Sequence, residues 1–342
     1  MDGEKRTDSF PSKESNLKVN SVICENGVTA EWNKELWGLV NINANNNPEI
    51  SCNIDFEDNS FAGYLKRLSR TSEEIVEDDF GNFRYIGKNP NNYVQFNGEL
   101  WRIIGVMKDI KNSDGSKSDK VKLIRSESIG KFSWDNTGVS GINDWTKSPL
   151  QKVLNEGAFY SKTSGTCPNG AYGKTVSCDF NSTGLTEEAK SMISEVVWNL
   201  GGSDALTPEL SYQYERGSKV SSGRPTIWTG RVGLMYPSDY GYATSGGATT
   251  NRVACLEKTL HNWISASDCT NNDWLLSSSN QWTLTPSFSN SIGILSVYSG
   301  YVFDRDTTLV YEVHPSVYLK SEIKINDGNN GSSTLPFVLK VE

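Results

Sequence analysis

Residues 269–320 decide the predicted fold: CTNNDWLLSSSNQWTLTPSFSNSIGILSVYSGYVFDRDTTLVYEVHPSVYLK. After two tryptophans, Trp274 and Trp282, come runs rich in β-branched and aromatic residues. The runs are 294–298, 301–303, 308–313 and 317–319. Ser, Asn, Gly and Asp, which turns select, separate them. The segment therefore predicts a meander of short antiparallel strands.

The composition limits the classes of function. The chain has 342 residues and a formal net charge of −8, and 22 % of its residues are charged. Proteins that bind nucleic acid concentrate Lys and Arg to neutralise phosphates, so this charge argues against a nucleic-acid partner. No run reaches the roughly 18–20 apolar residues that a membrane helix needs. The first residues, MDGEKRTDSFPSKES, have no apolar core of a signal peptide, so the sequence shows no export or anchoring signal.

The cysteines point to an oxidising compartment. They fall into three neighbouring pairs: Cys24 with Cys52, Cys167 with Cys178, and Cys255 with Cys269. An even number with close neighbours predicts three short-range disulfides, which persist outside the cytosol. Zinc ligation has less support, because no C-x-x-C spacing occurs and the chain has only two histidines.

The local composition of the chain predicts four segments. Residues 1–20 are polar and predict a disordered tail. Residues 21–57 contain short strand-like runs and predict a small β-module stapled by its own disulfide, because so short a segment cannot bury a sufficient core. Residues 58–80 are charged and predict a linker with one helix. Residues 81–342 predict the main domain.

Inside the main domain, Asn97-Gly98 predicts a hairpin between runs 93–96 and 99–106. Ser148-Pro149 predicts the start of one helix. A second helix is predicted from Thr186 to the Gly201-Gly202 stop, because apolar residues recur at helical spacing. Residues 201–268 predict a long loop region with strands only near 226–229 and 232–235.

Several strings resemble a known family. YVQFNGELWRIIGV, GLTEEAKSMI, GLMYPSDYGYATSGG and the closing PSVYL resemble bacterial cell-surface proteins with a C-type-lectin-like domain, of the subtype shared with formylglycine-generating-enzyme-like proteins. The usual Val-Arg-Pro of those proteins reads Val313-His314-Pro315 here. The resemblance implies an α+β fold: antiparallel strands, two helices and a long loop region, preceded by the small all-β module. It also implies display at the cell surface.

Catalytic patterns are weak. His261 and His314 belong to no nucleophile signature, and a triad is defined by geometry. Formylglycine-generating enzymes use a cysteine pair, which three disulfides would remove. A carboxylate pair of the glycosidase type stays open, since its separation is not readable from sequence.

Calcium has no clear site. Calcium-dependent lectins resemble one another in a Glu-Pro-Asn or Gln-Pro-Asp loop and a Trp-Asn-Asp motif, and this chain has neither. A structural calcium ion is therefore unsupported, and no cofactor is predicted.

The sequence predicts a binding surface instead. Tyr and Trp beside small polar residues give contact area at low entropy cost. The predicted ligand-binding residues are Asp273, Trp274, Trp282, Phe288, Tyr298, Tyr301, Phe303, Asp304, Arg305 and Asp306. We expect a secreted or surface-displayed, adhesin-like bacterial protein that binds an extracellular protein or glycan without catalysis. Two alternatives are an enzyme, either formylglycine-generating-enzyme-like or a glycan hydrolase, and a structural pilus or envelope subunit.

Overall fold

The computed structural model describes residues 10–341 except 14, 48, 205, 222 and 327. Its strands are β1 Leu17–Cys24, β2 Thr29–Asn33, β3 Gly38–Asn43, β4 Cys52–Asp58, β5 Ile75–Glu77, β6 Phe83–Tyr85, β7 Tyr93–Phe96, β8 Glu99–Lys111, β9 Lys117–Arg125, β10 Lys131–Ser133, β11 Ser164–Pro168, β12 Thr175–Asp179, β13 Val196–Asn199, β14 Ile227–Gly230, β15 Val232–Gly233, β16 Gln281–Pro286, β17 Gly293–Tyr298, β18 Tyr301–Asp306, β19 Val310–Glu312, β20 Ser316–Tyr318, β21 Lys324–Ile325 and β22 Phe337–Lys340.

The helices are short. They are α1 Phe61–Leu68, α2 Pro149–Asn155, α3 Ala158–Ser161, α4 Glu187–Met192, α5 Pro208–Glu215, α6 Pro237–Tyr242, α7 Arg252–Leu256 and α8 Ser267–Asn271, with 3₁₀ helices at Trp145–Lys147 and Leu260–Ser265. None of those described is long and apolar enough to cross a membrane.

The largest sheet is built on β8 and β9. They pair in antiparallel fashion, with bulges near Ile103 and Met107. The path of the sheet runs β15-β20-β9-β8-β7-β22-β21, and β6 joins β8 and β5. The predicted Asn97-Gly98 hairpin is confirmed between β7 and β8. Both turn residues have positive φ, 58° and 75°, as a two-residue hairpin turn of type I′ requires.

A second sheet has the order β10-β19-β16-β17-β18. Its strands contain the predicted runs 294–298 and 301–303 and part of the run 308–313, whereas the run 317–319 belongs mainly to β20 in the first sheet. Leu284, Ile294 and Val302 are fully buried, so this sheet and the first share one core. The predicted meander is thus present in β16, β17 and β18, whereas β19 lies on the other side of β16 and pairs with it in parallel.

The three predicted disulfides are confirmed. Cys24 bonds Cys52, Cys167 bonds Cys178 and Cys255 bonds Cys269. The first joins the facing ends of β1 and β4, and the second joins β11 to β12.

One predicted helix is partly wrong. α2 begins as predicted, with the Ser148 side chain accepting the Gln151 amide proton. α4 begins at the Thr186 cap but ends at Met192, and residues 196–199 form β13. β13 pairs with β14, and Trp198 faces Trp228 across the ladder. Packing of this strand pair overrides the helical periodicity.

The predicted fold class is also wrong. Strand accounts for 37 % and helix for 18 % of the structure. The strands are spread over many small sheets, and no described α-helix exceeds the 8 residues of α1 and α5. The protein is therefore mostly β, not the α+β lectin fold that the resemblance implied.

Element boundaries also differ in detail. β1 begins at Leu17, inside the segment predicted as a tail, whose residues 1–9 and 14 lie outside the described part. The segment 58–80 contains α1 and also β5. The loop region 201–268 contains α5, α6, α7 and a 3₁₀ helix in addition to β14 and β15, close to the predicted strands.

Candidate functional site

The hairpin of β17 and β18 forms the candidate site. Its turn is Ser299-Gly300, and both residues have positive φ, 51° and 86°. Tyr298 lies opposite Tyr301, so the loop has two residues, the tightest that an antiparallel pair allows. The sequence Tyr-Ser-Gly-Tyr therefore fixes the register of both strands.

Alternation along β18 divides its side chains between two faces. Val302 points into the core and is fully buried. Tyr301, Phe303 and Arg305 point to the opposite face. Because Tyr298 lies opposite Tyr301 in the ladder, it joins the same face.

We call this surface the aromatic face and define it by Tyr298, Tyr301, Phe303, Arg305 and Tyr311. The Tyr298 and Tyr301 ring centroids are 5.7 Å apart, and those of Tyr301 and Phe303 are 6.4 Å apart. Tyr311 lies 6.5 Å from Tyr298. The rings are partly exposed, Phe303 to 36 %. They form a continuous and shallow surface.

Arg305 lies among these rings. The carbon of its guanidinium is 4.2 Å from the Tyr298 centroid and 4.3 Å from that of Phe303. Within the described residues its side chain makes no ion pair or hydrogen bond, and its Nε is buried without a partner. Burial raises the pKa of Tyr311, and the Arg305 charge acts against that rise. The Arg305 guanidinium thus contacts aromatic rings and has no counter-ion among the described residues.

A second segment borders the face. His261, on the 3₁₀ helix Leu260–Ser265, has its ring 5.2 Å from Phe303 and 5.7 Å from Tyr301. The Cys255–Cys269 disulfide brackets this helix. Trp263 of the same helix is fully buried, which fixes His261 beside the hairpin.

The turn of the hairpin is tied to the core. The buried Tyr240 hydroxyl donates a 2.8 Å hydrogen bond to the Gly300 carbonyl. Trp282 borders the face: it is 1 % exposed, packs against Tyr311 at 4.7 Å and donates to the Phe132 carbonyl. The aromatic face is therefore anchored to buried residues at Gly300 and at Tyr311.

The other predicted binding residues lie elsewhere. Asp304 and Asp306 point away from the aromatic face, and Asp304 accepts from the Asn290 amide. Phe288 stacks on Tyr214, with the Lys219 ammonium 3.6 Å from its ring. None of the described ring contacts joins Phe288 to the aromatic face.

Asp273 and Trp274 form a separate buried cluster. Trp274 donates to the Tyr85 carbonyl and packs under the Arg102 guanidinium at 4.5 Å. Asp273 is 4 % exposed, and its Oδ2 has no partner among the described residues. Burial raises the pKa of Asp273 well above its usual range, opposed by the Leu275 amide and the Arg102 charge. These two residues are structural in position and inaccessible to a large ligand.

A buried charge network lies outside the residues predicted from the sequence. Arg84 pairs with Asp78 at 2.9 Å and with Asp239 at 2.7 Å, and Lys122 also donates to Asp239. Burial raises the pKa of Asp239, but Lys122 and Arg84 outweigh it and hold that pKa below its usual value. Next to the network, Glu215 accepts from the Ser238 amide and hydroxyl, and burial raises its pKa to about 7. A charged residue between apolar neighbours inside a strand, such as Lys122 between Val121 and Leu123 in β9, was the available signal.

A groove of about 610 Å³ lies on another part of the surface. It runs between α2, α3 and the β11–β12 hairpin, and small residues with Lys152 and Glu156 line it. No residue of the aromatic face borders it. Within the described ranges, no group of three or more His, Cys, Asp or Glu side chains comes together to hold a metal ion.

Comparison of the chain with protein-family models, with curated proteins and with solved structures finds no match. The resemblance drawn from the sequence strings stays a prediction.

Proposed function

We propose that this is an extracellular or surface-displayed protein that binds a ligand on the aromatic face without catalysing a reaction. The observation that carries the proposal is Arg305, a cation framed by partly exposed rings and without an ion-pair partner in the described structure. Three disulfides are compatible with an extracellular or soluble protein.

The stiffness of the site supports the proposal. Tyrosines on a two-residue hairpin lose little entropy when a ligand binds, and preorganisation lowers the cost of association. The Tyr240–Gly300 hydrogen bond and the Cys255–Cys269 disulfide hold both borders of the face.

Two observations argue against the enzyme alternatives. All six cysteines are in disulfides, so a formylglycine-generating cysteine pair has no free thiol to use. The buried carboxylates Glu215 and Asp239 are engaged with Ser238, Arg84 and Lys122 and border neither of the two described cavities. A hydrolase would need such groups open to substrate.

One feature favours the structural-subunit alternative. β1 and β4 form a two-stranded sheet whose outer edges pair with no other described strand. Open edges of this kind can accept a further strand from another chain.

A binding screen tests the proposal. The wild type would be applied to immobilised glycans and extracellular proteins beside Tyr301→Ala, Phe303→Ala and, as a control, Leu36→Ala, which changes an exposed residue in the turn between β2 and β3. We expect at least one ligand whose affinity falls about tenfold or more in the two face variants and is unchanged in the control. The proposal is wrong if no ligand binds, or if the face variants bind every ligand as the wild type does.

A further inference from the structure

We propose that the aromatic face recognises a carboxylated sugar, such as a uronic acid residue of an anionic glycan, with its carboxylate on the Arg305 guanidinium. This inference rests on the proposed function and names its ligand class.

The Arg305 guanidinium is prepared for an anion. Rings contact it at 4.2 and 4.3 Å, so its orientation is set before a ligand arrives. Its Nη atoms make no hydrogen bond in the described structure and are not among the buried atoms that lack a partner, so they reach solvent. A guanidinium with free in-plane N–H groups matches the two oxygens of a carboxylate.

The neighbouring acidic residues leave this charge uncompensated. Asp304 and Asp306 flank Arg305 in β18, but alternation directs them to the other face. No ion pair in the described structure joins either aspartate to Arg305, and Asp304 accepts from Asn290 instead. In a chain of net charge −8, Arg305 is therefore a local positive point on an aromatic surface.

The rings and their hydroxyls suit a sugar. The C–H groups of a pyranose carry partial positive charge and pack on the negative face of an aromatic ring. The hydroxyls of Tyr298, Tyr301 and Tyr311 have no hydrogen-bond partner among the described residues. They are free to bond sugar hydroxyls, as is the exposed His261 ring.

The size of the face favours a sugar over a protein partner. Specific protein interfaces bury about 800 Å² on each side, with a well-covered apolar centre. Here the most exposed ring, Phe303, shows 36 % of its surface, the tyrosines of the face are half-buried, and the adjoining Trp282 is buried. So small an exposed apolar surface suits a sugar better than a protein.

Calorimetric titration with tetragalacturonate, its methyl ester and tetraglutamate tests the inference. The wild type would be compared with Arg305→Gln, Arg305→Lys and Tyr301→Phe. Lys219→Gln is the matched control, because it removes a cation that lies against the separate Phe288 ring. Thermal unfolding of each variant would verify that it folds.

We expect tetragalacturonate to bind the wild type about tenfold or more tightly than its methyl ester or tetraglutamate, because a charge-assisted bidentate pair and ring stacking act together. Arg305→Gln should lose a similar factor, Arg305→Lys and Tyr301→Phe less, and Lys219→Gln nothing. Equal binding of the ester, or full binding by a folded Arg305→Gln, overturns the inference. Equal binding of tetraglutamate overturns it in favour of an acidic protein.

The two proposals fail separately. If tetragalacturonate does not bind but another ligand does, and that ligand depends on Tyr301 and Phe303, only the carboxylated-sugar inference is lost. If no ligand depends on those residues, the proposed function is lost as well.

Discussion

Asp239 is the centre of the charges buried under the largest sheet. Its two oxygens accept from Arg84 and Lys122, and all three side chains are at most 2 % exposed. Buried ion pairs of this kind give little net stability, but the loss of one member leaves an uncompensated charge in a medium of low polarity. The network should therefore tolerate no single deletion.

Asp239→Asn should lower the free energy of unfolding by about 3–5 kcal/mol, because Arg84 and Lys122 lose their shared anion. Urea denaturation would measure it. Asp306→Asn is the control: this exposed aspartate should change stability by about 0.5 kcal/mol or less. A loss for Asp239→Asn no larger than that of the control would contradict the assignment.

Glu215 should make stability depend on pH. Burial raises its pKa from 4.5 to about 7. Between these values the folded state keeps a proton that the unfolded state has released, so the Glu215 contribution falls as pH rises from 4.5 to 7. At ~1.4 kcal/mol per pKa unit the loss is about 3 kcal/mol.

Glu215→Gln removes this titration. The free energy of unfolding of the variant, minus that of the wild type, should grow steadily between about pH 5 and 7 in denaturant titrations. Glu209→Gln, on the exposed side of the same helix, is the matched control for the substitution itself. A constant difference for Glu215→Gln would mean that Glu215 is ionised throughout this range.

Part of the candidate site could be predicted from sequence. Tyr298, Tyr301, Phe303 and Arg305 were predicted together with Asp304 and Asp306, because aromatic residues lie beside small polar ones there. Alternation along β18 directs the two aspartates to the other face. Trp274 and Asp273 have the same residue types and similar polar neighbours, but they are buried against Arg102. That contact joins residues far apart in the chain, and local sequence carries no information about it.

The ambiguity of short apolar runs explains the error in the second helix. Val196, Val197 and Leu200 continue a helical spacing, yet β-branched residues also favour strands. The decision comes from β14, whose Trp228 lies opposite Trp198. A partner about thirty residues away thus outweighs local periodicity.

The Ser299-Gly300 turn should be sensitive to substitution. Gly300→Ala places a Cβ at φ 86° and 3.2 Å from Thr270 Cγ2. We expect a loss of about 1–2 kcal/mol from the backbone, with a further loss from the contact. Gly98→Ala is the matched control, since this hairpin glycine has φ 75° and open space around its Cβ. Thermal unfolding of both variants would compare them, and equal losses would contradict a role for the Thr270 contact.

The Cys255–Cys269 bridge should stabilise the border of the aromatic face. Replacing both cysteines with alanine should cost about 3 kcal/mol, because the bridge closes a loop of sequence separation 14. Ligand affinity should fall as well, since His261 lies inside that loop. Denaturation and titration of the double variant measure the two effects. Unchanged affinity would place His261 outside the binding contact.

At the level of the chain, the small part, residues 10–58, and the main part, which follows it, are stabilised in different ways. The main part has a continuous apolar core, whereas Val28 is the only buried hydrophobic residue described in 10–58. The small part relies on a partly buried cluster of Phe10, Trp32, Trp37 and Phe56 and on its disulfide. It should depend strongly on that bond.

Replacing Cys24 and Cys52 with alanine should therefore open the small part alone. Amide hydrogen exchange should accelerate about 100-fold or more in β1 and β4, as expected from a loss of roughly 3 kcal/mol, and stay unchanged in β8 and β9. Equal acceleration in β8 would show that the two parts unfold as one unit.

The fold class was the least predictable property. Disulfide pairing, the first hairpin and the first helix of the main domain follow from neighbouring residues. The proportion of strand to helix depends on how the loop region 201–268 divides into short elements, each stabilised by distant partners. A family resemblance in a few strings did not supply those contacts.

Asp239 and Tyr240 are adjacent residues of α6, and their side chains bond to different parts of the molecule. Asp239 holds the buried cations of the large sheet, and Tyr240 holds the Gly300 carbonyl at the tip of the exposed hairpin. The tip of the exposed hairpin is thus linked through one short helix to the buried charges in the middle of the molecule. A displacement of the Gly300 carbonyl would be felt at Asp239 through two adjacent residues of α6.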